Sequence, residues 1–130
     1  MKSVYTEKAP KPVGPYSQAV ICGSWLFLSG QVGIDPKTGL LKDSFEEQVR
    51  QIFENVEEIL KTAGADKNSI AKVVVYLKDL SLFATFNVLY QEFLKDVEVK
   101  PARTTVGVSE LPLGAMVEID IIAAVKQERG

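Results

Sequence analysis

The sequence predicts one mixed α/β (α+β) domain spanning 1–130, a single sheet with two helices on one face, in the order β-β-α-β-α-β-β. Three observations predict it. Apolar residues step by three and four over 45–63 and again over 83–94, the pattern of amphipathic helices. Ile70 to Leu77 is β-branched and unbroken through Val73-Val74-Val75, as in a strand covered on both faces. A chain of 130 residues is the size of one domain and can bury ~65–70% of its unfolded surface without disulfides or metals.

Residues 1–15 carry Pro10, Pro12, Gly14 and Pro15 and are expected to run extended over the surface. Tyr16 to Cys22 and Trp25 to Gln31 form a hairpin about the turn residues Gly23-Ser24. Asp35-Pro36-Lys37-Thr38-Gly39 is a turn. Ser44-Phe45-Glu46-Glu47 fits a capping box, in which the Ser44 hydroxyl and the Glu47 side chain satisfy early helical N–H groups. The helix that follows ends at Gly64, where a left-handed residue is wanted. After the strand 70–77, Asp79 or Ser81 caps a second helix of roughly Leu82 to Lys95. Strands Arg103 to Val108 and Met116 to Val125 close the domain.

Two β-α-β crossovers of the same hand put both helices on one sheet face. The other face then carries Val74, Tyr76 and Ile122 with no helix to cover them, and burial against other subunits is expected.

Composition narrows the chemistry. The chain has no histidine and one cysteine, Cys22, which removes Ser-His-Asp and Cys-His catalysis, a disulfide framework and the usual zinc ligand sets. No metal site and no cofactor are expected. Net charge is −2 and the pI about 5.2, with lysines and arginines scattered among acids, so nucleic acid is not the expected partner. No stretch approaches the ~20 apolar residues of a membrane span. No apolar run follows Lys2 as in a signal peptide, and a cytoplasmic location is expected.

Several residues stand out with two readings each. Glu118 and Asp120 point to one face of the last strand, roughly 7 Å apart. Either they bind lysines at a wet subunit edge, or one of them, in a drier pocket, acts as a base or aligns a water. Arg103, just after Pro101-Ala102, is a planar anchor for a small carboxylate or one half of a surface salt bridge. Ser29-Gly30-Gln31 marks close approach of a ligand to the backbone or a β-bulge. Tyr16 offers a phenol beside a rigid turn, or a core ring with its hydroxyl at the rim. Asn87 falls on the polar side of the second helix, where most asparagines are merely solvated. Cys22 reads as a small hydrophobe at a hairpin tip.

Together, Gly14-Pro15-Tyr16-Ser17-Gln18, Ser29-Gly30-Gln31, Val75-Tyr76-Leu77-Lys78-Asp79-Leu80 with Phe83-Ala84-Thr85-Phe86-Asn87, and above all Pro101-Ala102-Arg103 followed by Val117-Glu118-Ile119, resemble the RidA family of reactive-intermediate deaminases. This family is also known by its translation-inhibitor and perchloric-acid-soluble members. The resemblance covers nearly the whole chain. It implies a chorismate-mutase-like fold, a homotrimer with its sheets lining a central barrel, and a ligand cleft at each subunit interface. It also implies hydrolysis of 2-aminoacrylate and 2-iminobutyrate to 2-keto acids and ammonia, with small 2-imino and 2-keto acids as ligands. By resemblance Arg103 binds the substrate carboxylate and Glu118 orients the attacking water. Tyr16, Ser29, Gly30 and Asn87 line the pocket. Thr105 stands where many members carry a cysteine; its hydroxyl can bond a ligand but offers no thiolate, so the chemistry is expected to be hydrolytic. The alternatives are a regulatory trimer that binds small carboxylates without catalysis and, more distantly, a ribonuclease or translation inhibitor.

Overall fold

The computed structural model describes residues 1–126; the last four of the predicted domain, 127–130, lie outside the described residues. The described chain forms one mixed six-stranded sheet and two α-helices. The strands are β1 (Lys2–Val4), β2 (Ala19–Cys22), β3 (Trp25–Gln31), β4 (Ile70–Leu77), β5 (Ala102–Gly107) and β6 (Val117–Ala124), in the spatial order β1-β2-β3-β6-β4-β5. Only β4 and β5 pair in parallel; the other neighbours are antiparallel.

The seven expected elements are present, with one addition. Residues 2–4 do not merely cross the surface but pair with β2 as an edge strand, Lys2 opposite Ile21 and Val4 opposite Ala19. Tyr16 lies outside β2, which begins at Ala19, so the proline-bounded turn runs three residues further than expected. Gly23 takes φ 60 in the hairpin turn and lets Cys22 pair with Trp25.

Helix α1 (Phe45–Thr62) starts as its cap residues dictate. The Ser44 hydroxyl accepts the Glu47 N–H at 3.2 Å and itself donates to the Glu47 carboxylate at 2.9 Å, which does not reach back to a backbone N–H. Gly64 ends the helix in the left-handed region, φ 79. The stripe Val49, Ile52, Val56, Ile59 and Leu60 is fully enclosed; each such side chain contributes about 1.5–3 kcal/mol on leaving water. Helix α2 (Phe83–Phe93) follows a short 3-10 turn, Leu80–Leu82. Asp79 caps that turn by accepting the Ser81 N–H, while the Ser81 hydroxyl donates to Asp79 and caps nothing.

Both helices pack on the face that presents Leu26, Leu28, Val73, Val75, Leu77, Val117, Ile119 and Ile121. The opposite face holds Trp25, Phe27, Val74, Tyr76, Val106 and Ile122, half-buried or exposed. No described helix lies over it, and none is long and apolar enough to cross a membrane.

Candidate active site

Glu118 is the second residue of β6, on the open face, between the neighbouring strands β3 and β4. On β3 the register slips between Leu28 and Gln31, so Ser29 and Gly30 form a bulge. The bulge and the close approach are one feature: a Cβ on Gly30 would stand 2.9 Å from Glu118 Cδ and 2.9 Å from Asp120 Oδ1. Glycine thus lets two carboxyl groups settle against the β3 backbone. Ser29 turns its hydroxyl away to donate to the Ser17 carbonyl at 2.6 Å, fixing the turn that carries Tyr16.

Glu118 forms the floor of a cleft of about 190 Å³. Tyr16, Gly30 and Gln31 border it with Pro10, Pro12, Val13, Pro112 and Leu113. The Tyr16 hydroxyl accepts the Val13 N–H at 3.1 Å, and its ring stands half-exposed at the rim. Burial pushes the Glu118 carboxyl above its usual range, and the nearby Asp120 charge pushes it the same way. A carboxyl so placed holds a proton more readily than a solvated one and serves general acid-base chemistry closer to neutrality.

Gln18 builds the cleft's outer wall. Its buried side chain accepts the Thr6 N–H at 2.8 Å and donates to the carbonyls of Thr6, Ala9 and Pro10. Leu113 on the opposite lip has φ 60, a left-handed conformation that costs a branched residue ~1–2 kcal/mol.

Arg103 lies elsewhere. It pairs with Val73 across the parallel β4–β5 ladder, and Thr105 pairs with Val75, so both point to the helix face. The guanidinium carbon stands 4.7 Å from the Tyr90 ring centroid and 5.5 Å from those of Phe83 and Phe86. Its Nη2 donates to Asn87 Oδ1 at 2.6 Å. Asn87 is therefore not merely solvated; it orients the arginine. A planar cation carried on aromatic faces and steered by one amide keeps most of its fork for an anion. The hydroxyls of Thr105 and Tyr90 are buried with no protein partner among the described residues. Burial raises the Tyr90 phenol, opposed by the Arg103 charge.

The predicted residues thus fall into two half-sites. Tyr16, Gly30 and Glu118 share one cleft, Ser29 supports it, and Arg103, Asn87 and Thr105 stand on the other face of the sheet, two strands away. Sequence reasoning left Gln18 and Tyr90 without roles. Tyr90 is legible after the fact, since Phe83, Phe86, Asn87 and Tyr90 fall on adjacent helical rows.

The sequence and the fold match one family over nearly the whole chain. A family model described as Endoribonuclease L-PSP matches residues 6–125. A RutC family protein of Aquifex aeolicus is 55% identical over 123 residues, 95% of this chain and 98% of the relative. A 2-iminobutanoate/2-iminopropanoate deaminase of Salmonella typhimurium is 42% identical over 123 residues, 94% of this chain and 96% of the relative. The crystal structure of RidA from the Antarctic bacterium Psychrobacter superposes with a TM-score of 0.92 at 42% identity, covering 96% of this chain and 100% of that one. The chain belongs to the RidA family.

Proposed function

We propose that this protein is a deaminase that hydrolyses reactive enamine and imine acids, 2-aminoacrylate and 2-iminobutyrate among them, to 2-keto acids and ammonia. The observation that carries this reading is the division of the site: an aromatic-caged guanidinium for a carboxylate, and a half-buried carboxyl beside an apolar cleft for a water. The full-length similarity to a relative named for this reaction supports it.

The substrate carboxylate lies against the Arg103 fork, which holds C2 in place. The enamine takes a proton at C3 and becomes the iminium. Water then attacks C2, the C=N pair moves to nitrogen, and Glu118 accepts the water's proton. In the resulting carbinolamine Glu118 returns its proton to nitrogen, the C–N bond breaks as ammonia leaves, and the hydroxyl oxygen re-forms C=O and releases its own proton to solvent. A carboxyl with a raised proton affinity suits both transfers.

Because Arg103 and Glu118 of one chain face opposite sides of the sheet, a complete site takes one residue from each of two copies. The open face, with Trp25, Phe27 and Val106 exposed, offers the apolar surface that a homotrimer would bury.

The test adds the protein to a threonine or serine dehydratase reaction in which semicarbazide traps the imine. Wild-type protein should lower semicarbazone yield and Arg103→Ala should restore it. Unchanged trapping with wild-type protein overturns the deaminase reading. A monomer by light scattering overturns the shared site.

A further inference from the structure

The open sheet face carries a cluster that the hydrolytic scheme does not use. Tyr76 on β4 pairs in register with Glu118, but its hydroxyl passes that residue and donates to Asp120 Oδ2 at 2.8 Å. The other oxygen of the same carboxylate, Oδ1, comes to the point above Gly30 that Glu118 also approaches. Asp120 is thus held at both ends, by a phenol on one strand and by the β3 bulge on the other, with Glu118 as its immediate neighbour. We propose that Asp120 and Tyr76 are positioning residues for Glu118: the phenol fixes the Asp120 carboxylate, and that fixed charge makes Glu118 the carboxyl that exchanges a proton at this site.

Two carboxyls sharing a site cannot both hold a full charge cheaply, and the one with a hydrogen-bond donor keeps it. Tyr76 supplies that donor to Asp120 alone; the hydrogen bond to Asp120 also raises the phenol, which therefore stays protonated as a donor. Among the described residues no hydrogen bond reaches the Glu118 carboxyl, although Lys11 and Tyr16 line the same cleft. The charged and titratable groups around the pair are few. From the neighbouring strand β4, Tyr76 and Lys72 stand beside Asp120, and the cleft wall brings Lys11 and Tyr16. Lys72 is turned toward β5, where it donates to the Thr104 hydroxyl at 2.9 Å, and does not neutralise Asp120. Gly30 contributes only backbone. The negative charge that Glu118 senses is therefore chiefly that of Asp120.

This inference rests on the role given to Glu118 above, and the experiment separates the two. Full-length protein carrying ¹³C-carboxyl glutamate is titrated by NMR, wild type against Asp120→Asn and Asp120→Glu, alongside imine hydrolysis across pH. The expected result is a Glu118 midpoint that falls in Asp120→Asn and returns in Asp120→Glu, with the acid limb of kcat/KM moving down by the same amount. Tyr76→Phe, which keeps the ring and loses only the donor, should lower kcat about tenfold with KM unchanged. An unmoved Glu118 midpoint, or full kcat in Tyr76→Phe, overturns the positioning role while leaving the deaminase reading intact. A shifted midpoint in a protein without imine hydrolysis overturns the deaminase reading and keeps the electrostatic coupling.

Discussion

Replacing Gly30 by alanine separates fold from function more cleanly than any change to a charged residue. Gly30 is not among the glycines with positive φ, so the backbone there accepts an L residue without strain. What changes is space. The new methyl would stand 2.9 Å from both Glu118 Cδ and Asp120 Oδ1, where unstrained contacts lie near 3.5 Å, so the carboxyls must retreat by roughly 0.5 Å or more. Both are ends of side chains, and off-rotamer displacement costs about 0.5–1.5 kcal/mol. Against this, alanine in a strand gains about 0.5–1 kcal/mol over glycine through the unfolded chain. With both side chains displaced, stability should fall by no more than about 2.5 kcal/mol, the difference of those effects. Activity is less forgiving: misplacement by 1 Å costs ~100-fold, so a loss of roughly 10- to 100-fold in kcat/KM is expected. Semicarbazone trapping and a thermal melt on the same sample measure both. Wild-type turnover in a folded Gly30→Ala protein would refute the claim that the Glu118 position governs the reaction.

Further outcomes follow from the same geometry. Glu118→Gln should abolish activity yet melt higher at neutral pH. The folded state raises this carboxyl, so the stability it contributes is complete below the ordinary carboxylate range and is lost as pH rises through the raised value. A Glu118→Gln protein no more stable than wild type at neutral pH would contradict that burial. Gln18→Ala removes four hydrogen bonds from a buried side chain and should cost ~2–3 kcal/mol in urea melts, with faster proteolysis near residues 6–10. Leu113→Asn relieves a left-handed leucine and should stabilise by up to about 1 kcal/mol, read as a rise of a few degrees in Tm.

The helices and central strands were legible because their causes are local. The Ser44 cap, the three-and-four spacing of α1 and the Gly64 stop all lie within a few residues of what they control. The edge strand β1 was not legible, since three residues, Lys2 to Val4, carry no period, and their pairing is supplied by β2, with Val4 opposite Ala19 and Lys2 opposite Ile21. The site divides in the same way. Alternation alone put Glu118 and Asp120 on one face. That Tyr76 would reach Asp120, or Arg103 would meet Asn87, depends on strand register and on how α2 lies across β5, and neither is written in neighbouring residues. The family resemblance assigns Arg103 and Glu118 to one site; the sheet between them appears only once its two faces are built.

That intervening sheet sets a rule for damage. In the proposed assembly a chain lacking Arg103 still lends an intact Glu118 to its neighbour, and a chain lacking Glu118 still lends an intact Arg103. Two dead variants, unfolded and refolded together, should therefore recover part of the activity that neither has alone. The unit that natural selection tests for chemistry is then the contact between chains, and a lesion in either half is shared across it.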